Sequence, residues 1–154
     1  TDAEGRLVLA DAIDYAIEDQ PDFMIDFATL TGAARVALGT ELPALFANNQ
    51  ETANDLLAAG QRSTDPLWQL PLFDDYDRHL DAGYAALSST GLSGYGGAIT
   101  AALFLRRFAG RATNWVHIDV MAWNLVARPG RPKGGEAMGL RAVFEYIRML
   151  SADR

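Results

Sequence analysis

Residues 23–28 read Phe-Met-Ile-Asp-Phe-Ala, a short and almost wholly apolar run. A run of this length and composition predicts a β-strand that is covered on both faces. It follows residues 5–19, whose apolar side chains recur at spacings of three and four residues and so predict an amphipathic helix that ends before Pro21. A buried strand that directly follows an amphipathic helix is typical of α/β proteins.

Helix and strand signals continue to alternate along the chain. In chain order we predict a helix over residues 33–38, a strand over 42–47, a helix over 52–61, a short helix around 74–81, a helix over 98–108, a strand over 114–121 and a final helix over 136–150. The alternation predicts one α/β domain with a mixed, mainly parallel sheet and helices on both faces. In such sheets the site lies at the carboxyl ends of the strands.

Composition excludes several classes of protein. The chain has 154 residues, of which 49% are hydrophobic and 21% charged, as expected for one compact globular domain. A net charge of −7 argues against nucleic acid or an anionic membrane as partner. The absence of cysteine excludes disulfide scaffolds, thiolate metal sites and cysteine nucleophiles. Any bound metal must therefore use oxygen or nitrogen ligands.

The start of the chain carries the strongest candidate site. Asp2 and Glu4 are two residues apart, so in an extended segment their carboxylates project to the same side and can converge on divalent cations. Gly5 lets the backbone turn, and Arg6 then presents its guanidinium to an anion such as a carboxylate or bicarbonate. In the alternative interpretation, the two acids only cap the helix and interact with its dipole.

Residues 1–7, Thr-Asp-Ala-Glu-Gly-Arg-Leu, closely resemble the signature of the leucyl aminopeptidase family, also called the cytosol aminopeptidases. Residues 26–33 are similar to that family's strand and substrate loop, residues 96–101 to a later helix start and residues 115–119 to its last core strand. Because order and spacing also agree, the resemblance implies a zinc-exopeptidase-like fold. It further implies that residues 1–154 are the carboxyl-terminal part of a metalloaminopeptidase catalytic domain, truncated at its amino side.

The resemblance also implies an activity and its metal ligands. The family's members remove amino-terminal residues, commonly leucine, from peptides with two divalent ions, usually zinc or manganese. By similarity, Asp2 binds one ion, Glu4 bridges both, and Arg6 is the catalytic arginine that holds a bicarbonate. The metal ions would activate a water molecule and polarise the scissile carbonyl.

Thr29, Leu30 and Gly32 match the family's substrate-binding loop, in which backbone groups hold the amine and the carbonyl of the peptide. The implied partners are peptide substrates and further copies of the chain in a hexamer. The implied location is the cytoplasm, with no role for a membrane or for nucleic acid.

The chain departs from the family pattern in two ways. The family's site also needs a lysine and further aspartates upstream of the signature, so we predict that residues 1–154 alone turn over little peptide. After Asp119 many members continue with a small Ala-Gly pair, whereas residues 120–124 here, Val-Met-Ala-Trp-Asn, supply bulkier side chains near the expected specificity pocket, which leaves the leucine preference open. Two rival interpretations remain: an α/β module that binds a metal or an anion without catalysis, and a unit that serves only in assembly.

Other polar residues have structural interpretations. His117 lies inside an apolar strand and is predicted to be a hydrogen-bonded core residue rather than a metal ligand. Asp26 and Asp119 each occur in a buried strand, and because a buried carboxylate must be paired, we predict hydrogen-bonded supports near the site. The glycine-rich residues 93–97 lack the fingerprint of a nucleotide site.

Overall fold

The computed structural model describes residues 4–81, 94–110 and 113–152. In chain order its elements are α1 (Glu4–Ile17), β1 (Phe23–Ala28), α2 (Gly32–Leu38), β2 (Ala44–Ala47), α3 (Gln50–Arg62), β3 (Trp68–Gln69), a 3-10 helix (Asp74–Leu80), α4 (Gly97–Ala109), β4 (Asn114–Asp119), β5 (Trp123–Asn124), β6 (Gly134–Gly135) and α5 (Leu140–Ala152). The alternation of helices and strands that the sequence predicts is confirmed.

Within the described residues, the main sheet has four strands in the order β1-β4-β2-β3. β1 and β4 run parallel and in register from the pair Phe23–Asn114 to the pair Ala28–Asp119. β2 is antiparallel to β4 and parallel to β3, so two of the three strand pairings are parallel. This sheet confirms the predicted fold class. β5 and β6 form a separate antiparallel pair.

Helices cover both faces of the sheet. Alternate residues of the central strand β4 point to opposite sides, with Val116 and Ile118 in the core under α3 and α5. Trp115 lies in the core under α1 and α4. The buried members of the first core are Leu45, Ala53, Leu56, Ala59, Leu67, Val116, Ile118, Val120, Met138, Ala142, Val143 and Tyr146. Removal of this apolar surface from water stabilises the sandwich of helices and sheet.

The strand predicted over residues 23–28 has the predicted bounds, and the other two predicted strands are shorter in the structure. The strand predicted over residues 114–121 ends at Asp119, although the amide of Val120 still donates to the Ala28 carbonyl at 2.9 Å. The strand predicted over residues 42–47 begins at Ala44, after Pro43. β3, β5 and β6 were not predicted, since a strand of two residues is too short to show an alternating pattern. Ser93, the first of the glycine-rich residues 93–97, lies outside the described residues.

The predicted start of the final helix, at Glu136, is wrong. Gly139 adopts a φ of 79°, a left-handed conformation that cannot be part of a right-handed helix, so the helix begins after it, at Leu140. The cap comes from another part of the chain: the carboxylate of Asp65 accepts the amides of Gly139 at 3.1 Å and of Arg141 at 2.9 Å. These amides would otherwise lack acceptors at the helix start.

Candidate active site

The predicted substrate loop, residues 29–32, joins the carboxyl end of β1 to α2. Thr31 is buried and caps α2, because its hydroxyl accepts the amide of Ala34 at 3.1 Å. Gly32 is the first residue of α2, so its amide is one of those without an acceptor inside the helix. Thr29 is exposed, and Leu30 packs partly against the core under α1 and α4. The loop therefore lies at the edge of the sheet where the site was expected.

Asp119 holds this loop in place. It is the last residue of β4 and pairs with Ala28, the residue from which the loop departs. One carboxylate oxygen accepts the amide of Leu30 at 3.0 Å. The other accepts the amide of Thr31 at 3.0 Å and its hydroxyl at 2.6 Å. Asp119 is only 3% exposed, so these bonds replace the water that a buried carboxylate loses.

Arg6 lies near the same carboxylate. It is half-buried in the first turn of α1. Burial lowers the pKa of the Arg6 guanidinium, and the negative charge of Asp119 acts in the opposite direction. An arginine keeps its proton through such a shift, because its ordinary pKa lies far above neutrality. A permanent positive charge and the loop that begins at Thr29 are therefore neighbours of one buried carboxylate.

The predicted metal ligands are only partly described. Asp2 lies outside the described residues. Glu4 begins α1 with an exposed side chain, in the first turn, where a carboxylate also interacts favourably with the helix dipole. Among the residues that the structure describes, no three side chains of His, Cys, Asp or Glu lie together as a metal site. Glu4 and Asp2 thus stay a prediction as metal ligands.

The start of α4 packs closely against the first turn of α2. Gly96 adopts the left-handed conformation, with a φ of 67°. A Cβ at Gly97 would lie 3.2 Å from the Cβ of Ala33, which is tighter than an ordinary contact. This close approach gives the glycine pair a packing role.

Asp26, Trp115 and His117 form a polar cluster on the face of the sheet that α1 and α4 cover. One oxygen of Asp26 accepts the indole Nε1 of Trp115 at 2.8 Å, and the other lies 2.5 Å from Nδ1 of His117. The His117 ring stacks on the ring of Phe46 with centroids 5.9 Å apart. The interpretation of His117 as a hydrogen-bonded core residue and of Asp26 as a hydrogen-bonded support is confirmed.

An apolar groove of about 570 Å³ lies on the other face of the sheet, between Phe27, Val120 and α5. Its lining includes one titratable side chain, Glu136, whose carboxylate already accepts Arg131 and the Asn124 amide, each at 2.6 Å. The groove therefore has few polar groups that could bind or react with a ligand. The candidate site is the edge of the sheet that carries Arg6 and the substrate loop.

Sequence reasoning did not single out Thr31 and did not connect Asp119 to the loop. The signal for Thr31 was available, since a threonine directly before a helical run is a typical N-cap. No sequence signal linked Asp119 to Thr31, because the two residues are 88 positions apart in the chain. Asp119 was predicted as a hydrogen-bonded support, and that interpretation is confirmed.

The fold and this cluster define an α/β protein whose candidate site lies at the carboxyl ends of two parallel strands. Residues 1–144 match the cytosol aminopeptidase family, catalytic domain. A probable cytosol aminopeptidase from Geobacter sp. (strain M21) is 45% identical over 150 residues, which are 96% of this chain and 30% of the relative. A protein of the same name from Bradyrhizobium sp. (strain BTAi1) is 53% identical over 154 residues, again 96% of this chain and 30% of the relative.

Among solved structures, the crystal structure of cytosol aminopeptidase from Coxiella burnetii matches with a TM-score of 0.92 and 54% identity. The match covers 96% of this chain and 32% of that chain. The chain belongs to the cytosol aminopeptidase family, as its motifs predicted. It spans about a third of the length of the relatives that it matches. None of the helices within the described residues has the length and apolar character needed to cross a bilayer.

Proposed function

We propose that the protein carrying this sequence is a di-metal aminopeptidase that releases amino-terminal residues, preferably leucine-like ones, from peptides. Residues 1–154 would be the carboxyl-terminal part of its catalytic domain. The observation that carries the proposal is the meeting of Arg6 and the residue 29–32 loop at Asp119, in a chain of the cytosol aminopeptidase family. At this edge of the sheet, Arg6 supplies positive charge and the loop of residues 29–32 supplies ordered backbone groups.

The donor set fits part of a site for zinc or manganese. Carboxylate oxygens bind both ions, and the exposed side chain of Glu4 is accessible to a ligand. Glu4 and Asp2 would hold the ions from this chain, and the remaining ligands would come from outside residues 1–154. When bound, the two ions lower the pKa of a water molecule and polarise the carbonyl of the peptide.

Arg6 would hold an anion. Its guanidinium has a planar fork of donors that suits bicarbonate or the negative charge that develops on the substrate carbonyl. Because the side chain is half-buried, its charge is less screened by water than at the surface. Asp119 opposes the effect of burial and so favours a charged arginine at this place.

The loop would hold the substrate with its backbone. The amides of Leu30 and Thr31 are bonded to Asp119 and are not available to a ligand. The loop's contribution would therefore come from its carbonyl oxygens, which accept the peptide's amine, and from the amide of Gly32 at the start of α2. Thr29, which is exposed, would form part of the pocket wall.

The experiment is a substitution of Glu4 in the full-length protein. We expect Glu4→Gln to lose bound metal, measured by mass spectrometry of the elements, and to lose hydrolysis of a leucyl anilide while the melting temperature stays close to that of the wild type. Asp11→Asn is the matched control, because Asp11 is another exposed acid on α1. It should keep both the metal and the activity.

The rival function is an α/β module that binds a metal or an anion without catalysis, or a unit for assembly only. Its supporting observation is the place of Glu4 in the first turn of α1, where a carboxylate stabilises a helix by about 0.3–1 kcal/mol. Under this rival, Glu4→Gln would lower only the melting temperature. No hydrolysis by the wild type would contradict the aminopeptidase proposal, and full activity with full metal content in Glu4→Gln would contradict the role of Glu4 as a metal ligand.

Location and assembly complete the proposal. The relatives are named cytosol aminopeptidases, which supports a cytoplasmic protein. Exposed apolar side chains such as Phe144 on α5 and Val36 on α2 supply surface for contacts between subunits. We propose a hexamer, for which the mass of the native full-length protein in solution is the test.

A further inference from the structure

We propose that Asp119 is a positioning residue that fixes the geometry of the substrate loop at the carboxyl end of β1. The inference rests on the proposed aminopeptidase function and assigns a role to a residue outside the predicted set of metal, catalytic and substrate-binding groups. It concerns how the site is held, not which groups touch the substrate.

The first support is the place of Asp119 in the sheet. β4 lies between β1 and β2 and is hydrogen-bonded on both sides, so its end is held more firmly than a loop. Asp119 pairs with Ala28, and the next amide, that of Val120, donates to the Ala28 carbonyl at 2.9 Å. Its carboxylate therefore sits on a rigid element next to the point where the loop leaves β1.

The second support is the pattern of hydrogen bonds. The carboxylate accepts the amides of both Leu30 and Thr31 and the Thr31 hydroxyl. The same hydroxyl accepts the amide of Ala34 inside α2. A continuous path thus runs from the sheet, through Asp119 and Thr31, to the helix that begins at Gly32. Because the amides of Leu30 and Thr31 point to Asp119, the carbonyl groups of Thr29 and Leu30, which share the planar peptide groups of these amides, are oriented with them.

Loss of the Asp119 carboxylate would leave the amides of Leu30 and Thr31 without their described acceptor, so the loop would lose its anchor.

The test uses steady-state kinetics of the full-length metal-loaded protein. In Asp119→Asn one acceptor oxygen becomes a donor amide and the charge is lost. We expect KM for a leucyl peptide to rise, because the loop that binds the substrate loses its anchor, and kcat to change less than KM. A misplacement on the ångström scale lowers kcat/KM by roughly 100-fold.

Asp26→Asn is the matched control, since Asp26 is another carboxylate with little exposure to water, but among the contacts described it bonds only to the core residues Trp115 and His117. It should lower the melting temperature without raising KM. If Asp119→Asn changes the kinetics no more than Asp26→Asn does at an equal loss of melting temperature, the proposal is overturned.

Milder variants of Thr31 keep the test decisive if Asp119→Asn folds poorly. Thr31→Val removes the hydroxyl at nearly constant shape, and Thr31→Ser retains it. We expect the Val variant to raise KM well above that of the Ser variant. In the double variant with Asp119→Asn, the effects should be smaller than additive, because both changes break the same link. Equal KM values for the Val and Ser variants would overturn the proposal.

Hydrogen exchange separates this inference from the proposed function. The amides of Leu30 and Thr31 should exchange slowly in the wild type and faster in Asp119→Asn, whether or not the protein hydrolyses peptides. An inactive wild type with this exchange pattern would refute the aminopeptidase function while supporting the anchor. Unchanged exchange in Asp119→Asn would refute the anchor, whatever the activity.

Discussion

Replacement of Asp65 by alanine should weaken the start of α5 more than any exposed acid could. Asp65 is 3% exposed and follows α3, where its own amide donates to the Gly60 carbonyl at 2.9 Å. From that fixed position its two oxygens accept the amides of Gly139 and Arg141. The alanine variant leaves both amides without this acceptor in a place that water reaches poorly.

The size of the effect follows from these contacts. Loss of an ordinary N-cap lowers the free energy of unfolding by about 0.5–2 kcal/mol, and loss of one hydrogen bond to a charged group by about 1.5–3 kcal/mol. Since Asp65 makes two such bonds and is buried, we expect a loss of about 3 kcal/mol. For a chain of this size that corresponds to a fall in melting temperature of roughly 6–12 °C.

Urea unfolding of the wild type, Asp65→Ala and Asp65→Asn provides the measurement. Asparagine keeps one acceptor oxygen, so its loss should lie between those of the other two proteins. Asp55→Ala is the control, because Asp55 is an exposed acid on α3, and it should change the free energy of unfolding by less than about 0.5 kcal/mol. A loss in Asp65→Ala as small as that of the control would refute the capping argument.

Two further predictions concern packing near the site and the completeness of the chain. Gly97→Val should push α2 away from α4 and lower the free energy of unfolding, measured in urea, by about 1–3 kcal/mol. Because Gly32 at the start of α2 would be displaced, the peptidase activity should also fall. A variant as stable and active as the wild type would contradict the close contact with Ala33. Purified residues 1–154 alone should bind zinc or manganese weakly in calorimetry and hydrolyse little leucyl anilide; substantial turnover in a preparation free of the longer protein would contradict this prediction.

The sequence allowed the sheet to be predicted from local patterns. β1 and β4 are apolar runs flanked by turn residues, and both were located within two residues of their ends. The start of α5 was misplaced because its cap, Asp65, lies 74 residues before Gly139. A periodic pattern shows which residues prefer a helix, but not which distant side chain completes its first turn.

For the site, the resemblance to family motifs was more informative than the spacing of the acidic residues. Spacing alone left Glu4 with two interpretations, as a metal ligand or as a helix-dipole partner, and both agree with its exposed place in the first turn of α1. The resemblance pointed to the loop at Thr29, and the structure adds how Asp119 binds that loop. That link depends on the parallel register of β1 and β4, which no local pattern contains.

The central claim is that the full-length protein removes residues from the free amino end of peptides. The most direct measurement compares the hydrolysis of leucine p-nitroanilide and of its N-acetylated form by the full-length protein loaded with zinc or manganese. We expect rapid release from the free-amine substrate and almost none from the acetylated one, because in the proposed site the free amine would bind the ions and the loop carbonyls. No hydrolysis of either substrate, or equal hydrolysis of both, would contradict the account.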